Sequence, residues 1–193
     1  MTTANRITIL RILLTPVFIV QVLYYGRTGE EIYRLLAILC FAVAALADGL
    51  DGYIARRYHQ KSELGALLDP LADKLLLVSG IILLSRSFNP YFERIPLWLT
   101  ATIISRDVLL LIGLIVINYI SGRVKVRPRM TGKISTVLQM TVVLWILLQW
   151  DERAVIPICV ATAGFTAVAG VLYLFDGIKQ LNQSPASAPS ESQ

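Results

Sequence analysis

Charge, cysteine and histidine are all scarce in this 193-residue chain. Only 16% of its residues are charged, where an ordinary soluble domain carries about a quarter. The two cysteines, Cys40 and Cys159, each lie inside an apolar run and read as small buried hydrophobes, which excludes a disulfide scaffold. The single histidine, His59, lies in a polar loop and reads as solvated, so no histidine, serine or cysteine is placed for a covalent intermediate. With 12 glycines, 8 prolines and no short period, collagen-like and low-complexity chains are excluded as well. What the chain has in excess is apolar surface: 55% of residues are hydrophobic and the mean hydropathy is +0.65. A water-soluble core of this length cannot enclose so much. The expected class is an integral membrane protein.

Crossing ~30 Å of hydrocarbon takes roughly 20 apolar residues as a helix. The apolar runs Ile7–Tyr25, Ile32–Ile54, Leu64–Leu84, Ile95–Ile120, Ile134–Trp150 and Val155–Ile178 predict an all-α bundle of six transmembrane helices joined by short polar connections. The first run has no small-residue cleavage site after it and is expected to be retained. Arg56, Arg57 and Lys61 mark one loop as basic, and Arg123, Lys125, Arg127, Arg129 and Lys133 mark another, while the loops around Glu30/Glu31 and Asp151/Glu152 are acidic. The positive-inside rule then puts both termini and both basic loops in the cytoplasm, with Arg86 and Arg94 a weak dissent. A basic loop beside apolar spans marks anionic lipid or phosphate rather than nucleic acid. Residues 1–180 form the expected membrane domain, and the Ser/Pro/Gln-rich segment 181–193 a disordered tail.

Two of the runs contain acids that hydrocarbon should exclude. Asp48 and Asp51 lie in the second, Asp69 and Asp73 in the third, and residues three and four apart share a helix face. Each such charge costs ~2.5–3.5 kcal/mol at a helix centre, so four cost on the order of 10–14 kcal/mol unless they face a wet, neutralised cavity. Two carboxylate pairs on successive helices suit a hard divalent cation, Mg²⁺ or Mn²⁺. Interhelical salt bridges near the cytoplasmic boundary are the other reading, and an ion path through a transporter a third. Gly52, Ala55 and Gly65 lie on or beside the acidic faces, either as clearance for a ligand or as close-packing positions.

The full spacing, Asp48-x2-Asp51-Gly52-x2-Ala55-Arg56-x8-Gly65-x3-Asp69-x3-Asp73, resembles the signature of the CDP-alcohol phosphatidyltransferase family at all eight fixed positions. The resemblance extends to the six-span plan and so covers nearly the whole chain. It implies transfer of a phosphatidyl group from CDP-diacylglycerol to an alcohol with release of CMP. It also implies that Asp48, Asp51, Asp69 and Asp73 hold divalent metal, with Asp73 doubling as the general base. By the same resemblance Gly52, Ala55 and Gly65 make room for the donor, Arg56 contacts its phosphate, and the protein is a homodimer. The expected location is the inner, cytoplasmic membrane of a bacterium. Asn5-x2-Thr8-x2-Arg11 looks like the family's opening motif near the nucleotide, although a helix start with Arg11 snorkelling to the interface fits those residues equally.

The acceptor is read from polar residues at the fourth and fifth spans. Arg106, Arg129 and Lys133 would suit a small phosphate-bearing acceptor, sn-glycerol 3-phosphate. Family members that use it carry Arg-Glu and Gly-Lys-x-Lys-Thr-x2-Gln, where this chain has Arg106-Asp107 and Gly132-Lys133-Ile134-Ser135-Thr136-x2-Gln139. The Asp107 and Ser135 departures lean instead toward members that take phosphatidylglycerol and make cardiolipin. Arg129 reads equally as a loop charge facing lipid.

Overall fold

The computed structural model describes residues 3–58, 63–86, 91–121 and 130–182. Among the described residues six long helices follow one another: α1 (Thr3–Thr28), α2 (Glu31–Tyr58), α3 (Glu63–Ser85), α4 (Leu97–Ser121), α5 (Met130–Leu147) and α6 (Val155–Asn182), with a 3-10 turn, Glu152–Ala154, before the last. No strand occurs among the described residues. Each helix coincides with one of the six apolar runs. By length and apolarity the stretches Thr8–Thr28, Met130–Leu147 and Glu152–Gly177 can each cross a membrane. The side chains agree, because large apolar residues such as Leu13, Leu46, Leu97 and Phe175 point outward. A soluble bundle would hide these; a bilayer solvates them. The protein is an integral membrane protein.

The helix α1 shows the pattern most clearly. Thr8, Arg11, Thr15, Phe18, Val22 and Tyr25 are all buried, at alternating spacings of three and four, while Leu10, Leu13, Val17 and Val20 are exposed. The stripe is polar at its start and aromatic at its end, so apolar character alone would have chosen the wrong face. Proline at position 16 sits inside this helix. Next to it Thr15 Oγ1 donates to the Arg11 carbonyl at 2.9 Å, so the Thr15 hydroxyl is satisfied within its own helix.

The described residues divide into two compact units. One comprises α1, α2 and α3 with Met140–Val155; the other comprises Leu97–Gln139 and the chain from Ile156. In the first, α1 packs against both α2 and α3. Only Gly29 and Glu30 separate α1 from α2, so the two run antiparallel. Gly29 has φ +70°, a conformation that favours glycine, and the tip of the Tyr91 side chain lies 2.7 Å from where a Cβ would stand. Ring pairs hold the register: Tyr24 with Tyr33 at 5.3 Å and Phe18 with Phe41 at 5.6 Å. Against these, α2 presents the small or slender Ala37, Cys40, Ala44 and Ala47, all buried, which lets the helices approach.

A polar and aromatic cap closes the Gly29 end of this unit. Tyr25 stacks obliquely on Phe92 with centroids 4.7 Å apart. Gln149, in the left-handed region at φ 52°, ends the helical course after α5 and donates from Nε2 to Tyr25 Oη at 2.8 Å and to the Tyr91 carbonyl at 2.9 Å. That turn explains why α5 stops at Leu147, short of the apolar run that reaches Trp150. Arg34 pairs with Glu31 at 2.6 Å, and Trp145 meets Trp150 edge-on at 4.8 Å. The opposite end, with the α1 N-terminus, the α2 C-terminus and the α3 N-terminus, holds the acidic motif.

Candidate functional site

The motif divides between two helices at this end of the first unit. Asp48, Asp51, Gly52, Ala55 and Arg56 lie in α2, and Gly65, Asp69 and Asp73 in α3. Both stretches are helical, so Asp48 with Asp51, and Asp69 with Asp73, occupy positions one turn apart. Asn5, Thr8 and Arg11 all lie in the first turns of α1.

Backbone register relates the three helices. Phe18 is the common reference: its ring pairs with Phe41 on α2, and a Cβ added at Gly80 on α3 would lie 3.5 Å from it. Since α1 and α3 run the same way and α2 opposite, moving toward the motif means moving back along α1 and α3 and forward along α2. Two helical turns, about 10.5 Å, take Phe18 to Arg11, Phe41 to Asp48 and Gly80 to Asp73. One further turn reaches Thr8, Asp51 and the Asp69-Pro70 pair. The opening motif of α1 is therefore level with the acidic positions on both neighbouring helices. Thr8 and Arg11 are buried, and Arg11 is only 1% exposed. It is inside the fold and does not snorkel.

The chemistry of the donor set fits a divalent ion. The four acidic positions supply only hard oxygen donors, the kind Mg²⁺ and Mn²⁺ take, with no thiolate or imidazole among them.

A second polar cluster is built in the other unit from α4, the start of α5 and α6. Its centre is Arg106, 7% exposed on the otherwise apolar α4. Arg106 Nη1 donates to Asp107 Oδ1 at 2.8 Å. The guanidinium lies 5.9 Å from the Tyr173 ring centroid on α6, within cation–π range. Two glycines make space for it. A Cβ at Gly170 would lie 3.3 Å from Arg106 Cγ, and one at Gly132 would lie 2.9 Å from Tyr173 Oη and 3.4 Å from Arg106 Nη2. Nε of Arg106 is buried and has no hydrogen-bond partner among the described residues, so the side chain keeps donor capacity for an anion.

One turn further along α5 and α6, Ser135 Oγ and Thr166 Oγ1 lie 2.7 Å apart. Gln139 Nε2 donates to both, at 3.1 Å and 3.2 Å. All three side chains are fully buried. The serine hydroxyl completes this network. Thus Ser135 is explained by packing between α5 and α6.

Of the residues expected at the acceptor, Arg106 is buried at the centre of this cluster. Lys133 starts α5 and is exposed. Arg129 and His59 lie outside the described residues, as do positions 183–193 of the expected tail, while α6 extends to Asn182. Sequence reasoning missed Thr166, Gly170 and Tyr173. A signal was present: Thr162, Thr166 and Gly170 recur every four residues on one face of an apolar helix, and Tyr173 is the next position on it.

A model of the CDP-alcohol phosphatidyltransferase family matches residues 1–175 of the chain. The chain is 32% identical over 171 residues to the CDP-diacylglycerol–glycerol-3-phosphate 3-phosphatidyltransferase of Escherichia coli, covering 87% of this chain and 90% of that one. The protein of the same name from Shigella sonnei matches to the same extent, and that from Salmonella choleraesuis is 30% identical over the same coverage.

Proposed function

This chain belongs to the CDP-alcohol phosphatidyltransferase family, and from that premise we propose that it moves the phosphatidyl group of CDP-diacylglycerol onto sn-glycerol 3-phosphate, releasing CMP and forming phosphatidylglycerophosphate. The observation that carries this reading is the near full-length similarity to relatives named for that acceptor. The buried Arg106 cluster suits it, because Arg106 pairs with Asp107 through Nη1 and still has Nε to offer to an acceptor phosphate. The departures toward cardiolipin synthesis carry less weight: Ser135 is accounted for by its network, and Asp107 pairs with Arg106. The enzyme is a transferase of phospholipid biosynthesis. Six spans with both termini cytoplasmic, in a bacterial inner membrane and as a homodimer, complete the proposal.

The donor is held at the motif end of α1–α3. Gly52, Ala55 and Gly65 leave clearance for the cytidine, Arg56 meets a donor phosphate, and Asn5, Thr8 and Arg11 form the α1 side. Members of the family generally use divalent metal ions, and here Asp48, Asp51, Asp69 and Asp73 would hold Mg²⁺ or Mn²⁺. When bound, such an ion neutralises charge on the pyrophosphate as the CMP oxygen leaves. Asp73 accepts the proton of the attacking acceptor hydroxyl. Arg106 grips the acceptor phosphate with charge-assisted hydrogen bonds, and Lys133 and Arg129 add positive charge at the entrance to α5. One displacement at phosphorus completes the transfer.

Purified protein incubated with CDP-diacylglycerol, Mg²⁺ or Mn²⁺ and a panel of acceptors tests the reading, with the lipid product identified by mass spectrometry. Phosphatidylglycerophosphate and CMP are expected only when glycerol 3-phosphate is supplied. Cardiolipin formed from phosphatidylglycerol, with glycerol 3-phosphate ignored, overturns the acceptor. Cation flux in proteoliposomes without any CDP-lipid turnover overturns the enzyme.

A further inference from the structure

Arg11 is almost wholly buried on a helix, α1, that carries no acidic residue. A guanidinium remains protonated inside a protein, so burying one demands negative charge close by. Within the first unit, half of the ten carboxylates belong to the wrong end. Glu30 and Glu31 follow the C-terminus of α1, Glu93 follows α3, and Asp151 and Glu152 follow α5. These segments share the cap at which Gln149 binds Tyr25 and the Tyr91 carbonyl. Apart from Glu63, the acids at the Arg11 end are those of the motif, and the register from Phe18 sets Arg11 level with Asp48 on α2 and Asp73 on α3.

We propose that Arg11 is the resident counter-cation of the Asp48 and Asp73 level: a positioning residue, on the α1 side of the donor site, that holds the two acidic helices at one level before a divalent ion arrives. The proposal rests on the metal-dependent reading given above. It accounts for two acidic helix stretches at one level of a membrane protein with the ion absent. It also makes Arg11 and the ion partly interchangeable, since each supplies positive charge to the same positions. The loss of Arg11 should therefore matter most in metal-free protein.

Thermal unfolding of the full chain in detergent, without any lipid substrate, tests this. In EDTA, Arg11→Met should lower the unfolding temperature by roughly 6–20 °C, the range for removing one partner of a buried ion pair in a chain of this size. Mn²⁺ alone should restore about half of that loss or more, because an ion that binds only the folded state stabilises it. Arg11→Lys keeps the charge and should recover most of the stability in EDTA. Arg11→Met combined with Asp48→Asn or with Asp73→Asn should be more stable than Arg11→Met alone, which keeps the test open should the single variant fail to fold. An equal loss with and without Mn²⁺, together with additive losses in both combinations, overturns the proposal. So does an unchanged unfolding temperature accompanied by a raised KM for CDP-diacylglycerol, which assigns Arg11 to the donor. Wild-type protein that Mn²⁺ neither stabilises nor activates instead defeats the metal-dependent transfer, and the double variants in EDTA still decide Arg11.

Discussion

The acidic end of α1–α3 and the Arg106 cluster of α4–α6 meet the same difficulty, polar groups inside a membrane protein, in different ways. In the first, charge is concentrated on two successive helices at fixed spacings, and a third helix brings the buried Arg11 to their level. In the second, one arginine on α4 is seated among glycines and an aromatic ring drawn from the two later helices α5 and α6. Dense carboxylates are what a divalent ion requires. A single cation with an unsatisfied donor is what a phosphate requires. The difference predicts that damage to the first region stops the reaction and damage to the second changes how well one substrate binds.

The largest effect belongs to the acids. Asp48→Asn, Asp51→Asn and Asp69→Asn should each lower kcat by roughly 10²–10³-fold or more, the scale for removing a group that stabilises developing charge. Chelation by EDTA should do the same and be reversed by added Mn²⁺. A steady-state assay of CMP release measures both. Retained turnover in Asp69→Asn at ordinary Mg²⁺ removes the metal reading and with it the contrast between the two regions.

How much of each region the sequence disclosed follows from the same difference. The acids declare themselves because each is costly in hydrocarbon and because all lie within 26 residues, where helical spacing alone relates them. The six helices were equally legible, since an apolar run of span length has few alternatives. The Arg106 cluster was only half visible. Arg106 stood out as a charge in an apolar run, but Tyr173, Thr166 and Gly170 are ordinary residues for a membrane helix, and their meaning depends on which face of α6 meets Arg106 and α5. Lys133 stood out for its charge and proves exposed, while its neighbour Gly132 carries the close contact. Arg11 admitted two readings, of which its burial removes the snorkelling one. Spacing reveals what one helix presents; it does not reveal what a distant helix brings.

A smaller effect should separate Arg106 from Lys133. A charge-assisted hydrogen bond is worth ~1.5–3 kcal/mol, so Arg106→Gln should lower kcat/KM for glycerol 3-phosphate by roughly 10- to 100-fold. Most of the loss should appear as a raised acceptor KM, because the phosphate is remote from the reacting hydroxyl and is held alike in ground and transition states. The KM for CDP-diacylglycerol should stay near wild type. Lys133→Gln should cost less, since an exposed charge is screened and hydrated already. Should the two variants prove equal, or should Arg106→Gln raise the donor KM instead, the acceptor phosphate is not held at this cluster.

The smallest effect comes from a single methyl group, and it tests whether the cluster depends on its shape as well as its charge. A Cβ at Gly132 would stand 2.9 Å from Tyr173 Oη, closer than real Cβ contacts allow, and 3.4 Å from Arg106 Nη2. The tyrosine hydroxyl must move, and the guanidinium that lies over its ring moves with it. Gly164, also on α6, has nothing within 4 Å of the same added atom. Both glycines lie within helices, Gly132 in the first turn of α5 and Gly164 inside α6, so alanine raises helix propensity at each, by up to about 1 kcal/mol. Gly164→Ala is therefore the control: it should leave both KM values unchanged and hold or slightly raise the unfolding temperature. Gly132→Ala should raise the KM for glycerol 3-phosphate by roughly 3- to 10-fold, as about 1 kcal/mol of a strong hydrogen bond is lost to misplacement. Its kcat and donor KM should scarcely change, because the acidic positions on α2 and α3 are untouched. Adding Arg106→Gln to Gly132→Ala should then give little further loss, since two changes that act through one guanidinium do not add. Full additivity would mean that Gly132 acts on the acceptor by some route other than Arg106.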